Sequence, residues 1–257
     1  MLEICAEAEA VLPRCFTYQT AATEKETEMS KTEKSADKVA EKTEAVHIAP
    51  PNIKTGILWI KGTSPLVIHK FPEKAKKMIR EKQAAGSVAN SKKKREAKDF
   101  EAAFEGARHR SFEGWDGIPA PAFRNACISA CRLVGFKMTM AKLSIFVEAD
   151  GFDATEGTPL VKIIGGEPRQ LESMVRLATG VCDIAVRPQW LEWGCKLRIR
   201  YDADQFDASD VANLVARAGM QVGVCEGRNG STNSNGMGWG CFELSTEEEV
   251  MSLAKGE

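Results

Sequence analysis

The feature that most constrains the fold is a strand followed directly by a capped helix. In KLRIRYDAD (196–204), apolar residues alternate with cations, a pattern that is typical of a strand with one buried face. Asp207, with Asp210 three residues later, is typical of a helix N-terminus. The apolar residues that follow are spaced for one buried helix face, and Gly219 is expected to end the helix. Together the two elements indicate an α+β fold.

The rest of the chain between residues 51 and 246 shows the same two patterns. Strands are predicted at 55–62, 144–151, 159–166, 172–180, 183–190 and 241–245, and another is predicted to begin at 222. The stretch 65–70 is interpreted as a continuation of the first strand or as its hairpin mate. Helices are predicted from Pro72, from Lys92 to Ala107 and from Phe123 to Gly135.

The two ends of the chain are expected to lie outside the folded domain. Residues 1–50 contain a long polar stretch with almost no large apolar side chain, so burial cannot offset the entropy of ordering, and a disordered tail is predicted. One α+β domain is predicted over 51–246, with a basic helical insertion at 72–111. The acidic ending, 247–257, is interpreted as a frayed tail.

Several classes of protein are disfavoured by composition. No run approaches the roughly 18 apolar residues of a membrane span, and the first residues lack the pattern of a secretory signal. The eight cysteines form no CxxC pair and there are three histidines, so neither a zinc site nor any other metal or cofactor is predicted. Cys127 and Cys131 are expected to be reduced core residues, and a cytoplasmic location in a bacterium or phage-infected cell is expected.

Charge is strongly segregated although the whole chain carries a net charge of −1. Residues 54–142 contain 19 Lys/Arg and 8 Asp/Glu, a net charge of +11, whereas residues 143–257 carry a net charge of −8. Such asymmetry points to a polyanionic partner, and the alternative is an ordinary solvated helix surface.

The basic insertion and the helix after it supply candidate phosphate contacts, which give affinity that is independent of base sequence and sensitive to salt. The candidates are Lys74, Lys76, Lys77, Arg80, Lys92, Lys93, Lys94, Arg95, Lys98, His109, Arg124 and Arg132. The run KKKR also fits a nuclear localisation signal. Candidates for stacking on bases are Trp59, Phe71, Phe112 and Trp115. His69 ends an apolar run and is interpreted as structural.

The second candidate site is a glycine-rich loop that follows a helix and precedes a strand, the reverse of a dinucleotide-binding loop. In this loop Arg228 offers a fixed charge and Trp239 a stacking face; the alternative is a flexible hairpin loop with Trp239 in the core. Glycine permits positive φ or close approach of a ligand. The loop glycines are Gly223, Gly227, Gly230, Gly236, Gly238 and Gly240.

The order of elements and two motifs resemble the RAMP superfamily, the RNA-binding backbone subunits of CRISPR effector complexes. The first motif, a Pro-led entry into a basic helix, comprises Ile118, Pro119, Ala120, Phe123, Arg124 and Arg132. The second, a glycine-rich loop before the last strand, comprises Gly223, Gly227, Arg228, Gly236, Gly238, Gly240 and Phe242. The lysine-rich insertion also resembles a group of uncharacterised phage and prophage proteins. The resemblance implies a ferredoxin-like (RRM-like) antiparallel sheet core, RNA binding and side-by-side assembly, without catalysis.

The sequence therefore predicts non-catalytic binding of single-stranded nucleic acid, with RNA favoured over single-stranded DNA, by molecules that self-associate into a filament or ring and do not bind membranes. One alternative is a phage or prophage interaction or structural protein whose charge-complementary subunits assemble without nucleic acid. A third is a magnesium-dependent nuclease that uses Asp202, Asp204 or Asp207, although a strand exit and a helix cap explain these carboxylates more simply.

Overall fold

The computed structural model describes residues 48–84, 98–176, 180, 182–231 and 236–254. The chain divides between Ala49 and Pro50, and the description concerns the unit Pro50–Glu257. Residues 1–47 of the predicted tail lie outside the described residues. So do Lys92, Lys93, Lys94 and Arg95 of the basic insertion, and the side chain of Lys74.

The described residues form helices and antiparallel sheets, an α+β fold as predicted. The helices are α1 (Glu73–Ala84), α2 (Phe100–Gly106), α3 (Ala120–Ala130), α4 (Met138–Ser144), α5 (Ala208–Arg217) and α6 (Glu247–Ser252). The strands are β1 (Ile53–Gly62), β2 (Leu66–Val67), β3 (Gly117–Pro119), β4 (Ile145–Glu148), β5 (Gly151–Phe152), β6 (Pro159–Lys162), β7 (Ile164–Gly165), β8 (Arg169–Arg176), β9 (Cys182–Trp190), β10 (Trp193–Asp202) and β11 (Phe242–Ser245). None of the helices in the described ranges is long and apolar enough to cross a bilayer.

The main sheet has the strand order β11-β1-β10-β4, and β7 also pairs with β10. Every neighbouring pair is antiparallel. The longest pairing joins β1 to β10 and sets Trp59 opposite Lys196 and Ile57 opposite Arg198. The chain runs from β1 through α3 to β4, and from β10 through α5 to β11. Two smaller sheets have the orders β2-β9-β8 and β3-β6-β5.

One face of the main sheet packs on α3 and α5, and this contact is the core. Leu197 and Ile199 of β10 are buried against Phe123 of α3 and Val211 and Leu214 of α5. The alternation of buried and more exposed residues predicted for β10 is therefore confirmed. Cys127 and Cys131 are buried free thiols in the same cluster, as predicted. Burial raises the pKa of Cys127 to about 12, so this thiol is a core group and not a nucleophile.

A close approach of two strands accounts for one glycine of β1. Gly62 lies against the buried indole of Trp193, and a Cβ at position 62 would overlap that ring. The indole Nε1–H donates to the Ser64 carbonyl over 2.8 Å, and Phe242 packs edge-on against it. Trp193 is thus a fixed core residue, and its position depends on the missing side chain at Gly62.

Three expectations about local structure are wrong. Residues 65–70 neither continue β1 nor pair with it, because β2 pairs with β9. The segment from 222 forms no strand: Gly223 and Cys225 have positive φ (74° and 62°), which interrupts an extended backbone. Helix α5 does not end at Gly219 but continues as a π turn to Val222, and Gly219 allows close packing against Phe242.

The acidic ending also differs from its prediction as a frayed tail. Thr246 and Glu249 form a capping box at the start of α6, and Val250 is fully buried. A side chain at Gly194 of β10 would meet Val250 and Leu253, so α6 packs across that end of the main sheet. The predicted helix from Lys92 to Ala107 is described only from Phe100, where Asp99 accepts a hydrogen bond from the Ala102 amide as N-cap.

Candidate nucleic-acid interface

The face of the main sheet opposite the helices carries aromatic rings and cations side by side. We call it the outer sheet face and define it by Trp59, Phe146, Lys196, Arg198 and Arg200. Lys196 lies 5.3 Å from the centroid of the Trp59 ring, and Arg200 lies 5.5 Å from that of Phe146. Such cation–π pairs follow directly from the register, since residues opposite one another on two strands share a face.

Arg124, a predicted phosphate contact, reaches the edge of this face. Its guanidinium lies 5.0 Å from the Phe146 ring and donates to the carbonyls of Ile145 (2.9 Å, through Nε) and Lys142. Within the described ranges, no carboxylate forms an ion pair with Arg124, Lys196 or Arg200. Arg198, in contrast, lies 3.2 Å from Asp150. Three uncompensated cations beside two rings can attract a polyanion that carries flat bases.

Helix α6 limits the open part of the outer sheet face. Its capping residue Glu249 lies near Lys61, which contributes to lowering the pKa of that carboxyl, after the hydrogen bonds from Ser245 and the Thr246 amide. The acidic first turn, Glu247 to Glu249, therefore sits at the β11 side of the face. The uncovered part runs from Trp59 and Lys196 toward Arg200.

The basic insertion contributes less than the sequence predicts, because some of its cations are already paired. Lys76 pairs with Glu73 and Glu156, and Lys98 lies 3.4 Å from Asp183 and also donates to the Ile184 carbonyl. Lys77 and Arg80 are exposed on α1. Of the described candidates on α1, these last two are the ones available to phosphate.

A groove of about 450 Å³ lies between α3 and the segment after α5. We call it the histidine groove and define it by its polar lining: His69, His109, Asn125, Ser129, Glu226 and Arg228. Small apolar residues, including Ala122, Ala126, Val222 and Val224, complete the wall. The structure thus brings together two predicted site residues, His109 and Arg228, from positions 119 residues apart.

A buried network holds His109 at the edge of this groove. Its Nδ1 lies 3.0 Å from the carboxylate of Asp153, which is fully buried. Lys70 donates to both oxygens of the same carboxylate, over 2.8 and 3.0 Å, and the amides of Thr155 and Glu156 donate to Oδ1. His109 is therefore a fixed side chain with an internal partner, and its predicted contact with nucleic acid stays a prediction.

The network sets the protonation states of its members. Burial alone would raise the pKa of Asp153, but hydrogen bonds from Lys70, Glu156, Thr155 and His109 outweigh it and hold the pKa at about 2. Burial lowers the pKa of His109 below its usual 6.5, and the hydrogen bond with Asp153 offsets only part of this. At neutral pH the ring is therefore uncharged, with its proton on Nδ1 toward Asp153 and an unprotonated Nε2.

His69 lies on the groove wall beside a second ion pair. Its Nδ1 is 3.7 Å from Glu226, whose carboxylate accepts from Arg187 Nε over 2.7 Å. Burial is the main cause that lowers the pKa of His69, and the charge of Arg187 adds to it. The side chain is 40% exposed, so His69 is accessible from the groove.

The glycine-rich segment forms the other wall of the groove and places its predicted site residues differently. Arg228 donates through Nη1 to the Cys225 carbonyl over 2.7 Å. Trp239 is half-buried against Gly227 and lies outside the core cluster of the described residues. Gly230 lies against Val222. The glycines of this segment with left-handed φ are Gly223, Gly227, Gly236, Gly238 and Gly240.

The other predicted stacking and cationic residues are scattered. Phe71 is 47% and Phe112 76% exposed, outside both surfaces. Trp115 packs against Gly117 and Gly151 and donates to Glu113. Arg132, on the turn after α3, lies 3.7 Å from the Met138 sulfur.

The carboxylates proposed for a nuclease have structural hydrogen-bond partners. Asp202 accepts from the Asp204 amide, Asp204 accepts from Asn52, and Asp207 caps α5 in a capping box with Asp210. Within the described ranges no group of three or more His, Cys, Asp or Glu side chains is placed to hold a metal ion.

Sequence reasoning missed Phe146, Lys196, Arg198 and Arg200 as site residues, although the alternation in β10 already put its cations on one face. It also missed Lys70 and Asp153, which are 83 residues apart and carry no local signal.

No protein-family model matches this chain, and no curated protein matches its sequence.

Proposed function

We propose that this protein binds single-stranded nucleic acid, RNA in preference to DNA, on its outer sheet face. The observation that carries the proposal is the pairing of aromatic rings with uncompensated cations, Trp59 with Lys196 and Phe146 with Arg200 and Arg124. Single strands expose the faces of their bases, which stack on aromatic rings and guanidinium planes, while cations contact the phosphates. In a duplex those base faces are already stacked.

The arrangement of the main sheet supports a ferredoxin-like core, which is part of the proposal. Counting only β1, β4, β10 and β11, the strands lie in the spatial order fourth, first, third, second, and all are antiparallel. Helix α3 follows the first of these strands and α5 follows the third, and both pack on the same side. A four-stranded sheet of this kind, with its other face open, is the platform on which RRM domains stack two or three bases. The preference for RNA rests on this likeness.

Fluorescence anisotropy with labelled single-stranded RNA, single-stranded DNA and duplex DNA, at about 50 and 200 mM salt, tests the proposal. We expect salt-sensitive binding in the order RNA, single-stranded DNA, duplex. Trp59→Ala should weaken RNA binding by about 5- to 150-fold, the equivalent of about 1–3 kcal/mol for one stacked base. The double variant Lys196→Glu/Arg200→Glu should abolish measurable binding at the higher salt, because it replaces two cations with anions.

A matched control separates these local effects from net charge. Lys137→Glu/Arg217→Glu makes the same change in charge at two exposed residues outside both surfaces. It should retain most of the affinity. The proposal fails if single strands do not bind at about 50 mM salt, or if the control and the outer-face variant lose affinity equally.

A further inference from the structure

The histidine groove offers ligand contacts that the outer sheet face does not use. Asn125 and Ser129 project from one face of α3, four residues apart, and their side chains have no hydrogen-bond partner within the described ranges. Ala122 and Ala126 lie on the same face of the helix and leave room where larger residues would fill the space. The groove therefore combines an apolar wall, where a flat ring can lie, with free polar groups at its rim.

The charges around the groove leave one cation in excess. Asp153 is paired with Lys70, and Glu226 is paired with Arg187. Arg228 has a backbone carbonyl as its partner and no ion pair with a carboxylate in the described part of the chain. A backbone partner does not neutralise the guanidinium, which keeps donors for an anion.

The histidine on the opposite wall requires the reverse chemistry. Because His109 Nδ1–H donates to the Asp153 carboxylate in the neutral ring, the second ring nitrogen, Nε2, can only accept a hydrogen bond. A ligand that satisfies the groove must therefore carry an anion for Arg228 and also a hydroxyl or amino donor for His109. Inorganic phosphate supplies an anion for Arg228 but has no base or ribose for the apolar wall and His109.

The backbone on the Arg228 side of the groove is held in an unfavourable conformation. Cys225, a groove-lining residue, has φ of 62°, and it is the sole non-glycine residue with positive φ in the described ranges. Hydrogen bonds from the Val224 amide to Gly240 and from the Glu226 amide to Val67 fix it from both sides. Strain that is held in place in this way is concentrated at binding sites.

We propose that the histidine groove binds one nucleotide, with its phosphate on Arg228, its base against the apolar wall of α3, and a ribose or base donor on His109. The choice of ligand rests on the proposed function. The groove is made by α3, the loops that carry His69 and His109, and the glycine-rich segment, whereas the outer sheet face is the opposite side of the main sheet, so the two sites are separate. A mononucleotide is too small to require both, which allows the groove to be tested alone.

NMR titration of the histidine ring signals with AMP, adenosine and inorganic phosphate tests the inference on the full chain. AMP should shift the His69 and His109 signals in a saturable way, with at least about tenfold higher affinity than adenosine or phosphate, because only AMP carries both features. Arg228→Ala should lower the AMP affinity about tenfold. Arg228 also supports the glycine-rich segment, so a second variant is needed. Asn125→Leu changes an exposed residue and places a larger side chain in the groove, and we expect it to cause the same loss of AMP affinity.

The outcomes separate this inference from the proposed function. Trp59→Ala should bind AMP as the wild type does, since it alters only the outer sheet face. The inference is overturned if about 10 mM AMP leaves both histidine signals unmoved, or if Arg228→Ala and Asn125→Leu respond like the wild type. In either case the binding of oligonucleotides to the outer sheet face is decided separately, by the anisotropy measurement. Conversely, AMP binding without oligonucleotide binding supports the groove and contradicts the proposed function.

Discussion

The outer sheet face and the histidine groove are built in different ways from the same chain. The outer sheet face comes from neighbouring strands, and its members are set beside one another by regular pairing, as Trp59 is by Lys196. The groove draws on segments near residues 69, 109, 125 and 228, and its histidine is held by a buried network with Asp153 at its centre. One surface is regular and partly open, and the other depends on distant buried contacts.

This difference teaches which changes each surface can tolerate. On the outer sheet face, a substitution removes one side chain and leaves the strand pairing intact, since backbone hydrogen bonds hold the strands. In the groove, a change at Asp153 removes the common partner of a lysine, a histidine and two amides. We therefore expect mutations on the outer sheet face to change binding, and mutations at the histidine groove to change folding stability.

The largest effect is expected for Asp153→Ala. It leaves Lys70 as a buried cation without its carboxylate, and breaking a buried pair in this way costs about 3–5 kcal/mol of unfolding free energy. Urea denaturation at neutral pH measures it. The exposed Asp204→Ala is the control and should change stability by less than about 0.5 kcal/mol. If folded Asp153→Ala also loses oligonucleotide binding, the two surfaces are not independent and the comparison fails.

The same network predicts how stability depends on acid. Because the pKa of Asp153 is held at about 2, below its usual 3.8, its carboxylate contributes fully above about pH 4. That contribution is lost as the pH falls from about 4 toward 2. The stability difference between the wild type and Asp153→Asn should therefore shrink over this range, and a difference that stays constant would contradict the assignment.

A smaller effect is expected from the lysine cluster of the insertion. Replacing Lys92, Lys93, Lys94 and Arg95 by Gln removes four charges without adding anions. If all four contact phosphates of a single strand, the slope of log affinity against log salt should fall by about 2.8, at roughly 0.7 per contact. An unchanged slope would mean that the phosphate contacts lie on the described surfaces and not on this lysine cluster.

The smallest effect concerns the His109 ring. Burial already lowers its pKa below 6.5, and Asp153 counteracts part of that lowering, so Asp153→Asn should lower the pKa of His109 further. NMR titration of the histidine signals follows both rings in one experiment. His69 serves as the internal control, because burial and Arg187 account for its lowered pKa. A rise in the pKa of His109 would mean that the groove is not organised around Asp153.

Local patterns in the sequence predicted much of the fold. The structure has both the alternating burial of β10 and the acidic cap of α5 at the predicted residues. The prediction of a strand from 222 was wrong because Val222 and Val224 are buried without being extended, with a left-handed Gly223 between them. Helix α6 was not predicted because a single buried residue, Val250, packs it against the sheet, and that contact leaves no pattern in the local sequence.

The candidate site could be predicted only in part, for the same physical reason. The cations of β10 alternate with core residues, so their common face was already present in the sequence. His109 and Arg228 were selected for their charge chemistry, yet nothing local shows that they share a groove. Lys70 and Asp153 are single residues in unremarkable segments, and only their contact across 83 positions gives them a role.

Under the proposed function, the position of α6 sets the footprint of one molecule on a nucleic-acid strand. The helix covers the sheet at Gly194, so the free cations of β10 run only from Lys196 to Arg200, about 13 Å along the strand. That length accommodates two or three stacked bases. A footprint this short gives modest affinity for a single copy, and tight capture of a long strand then has to come from the avidity of several copies bound along it.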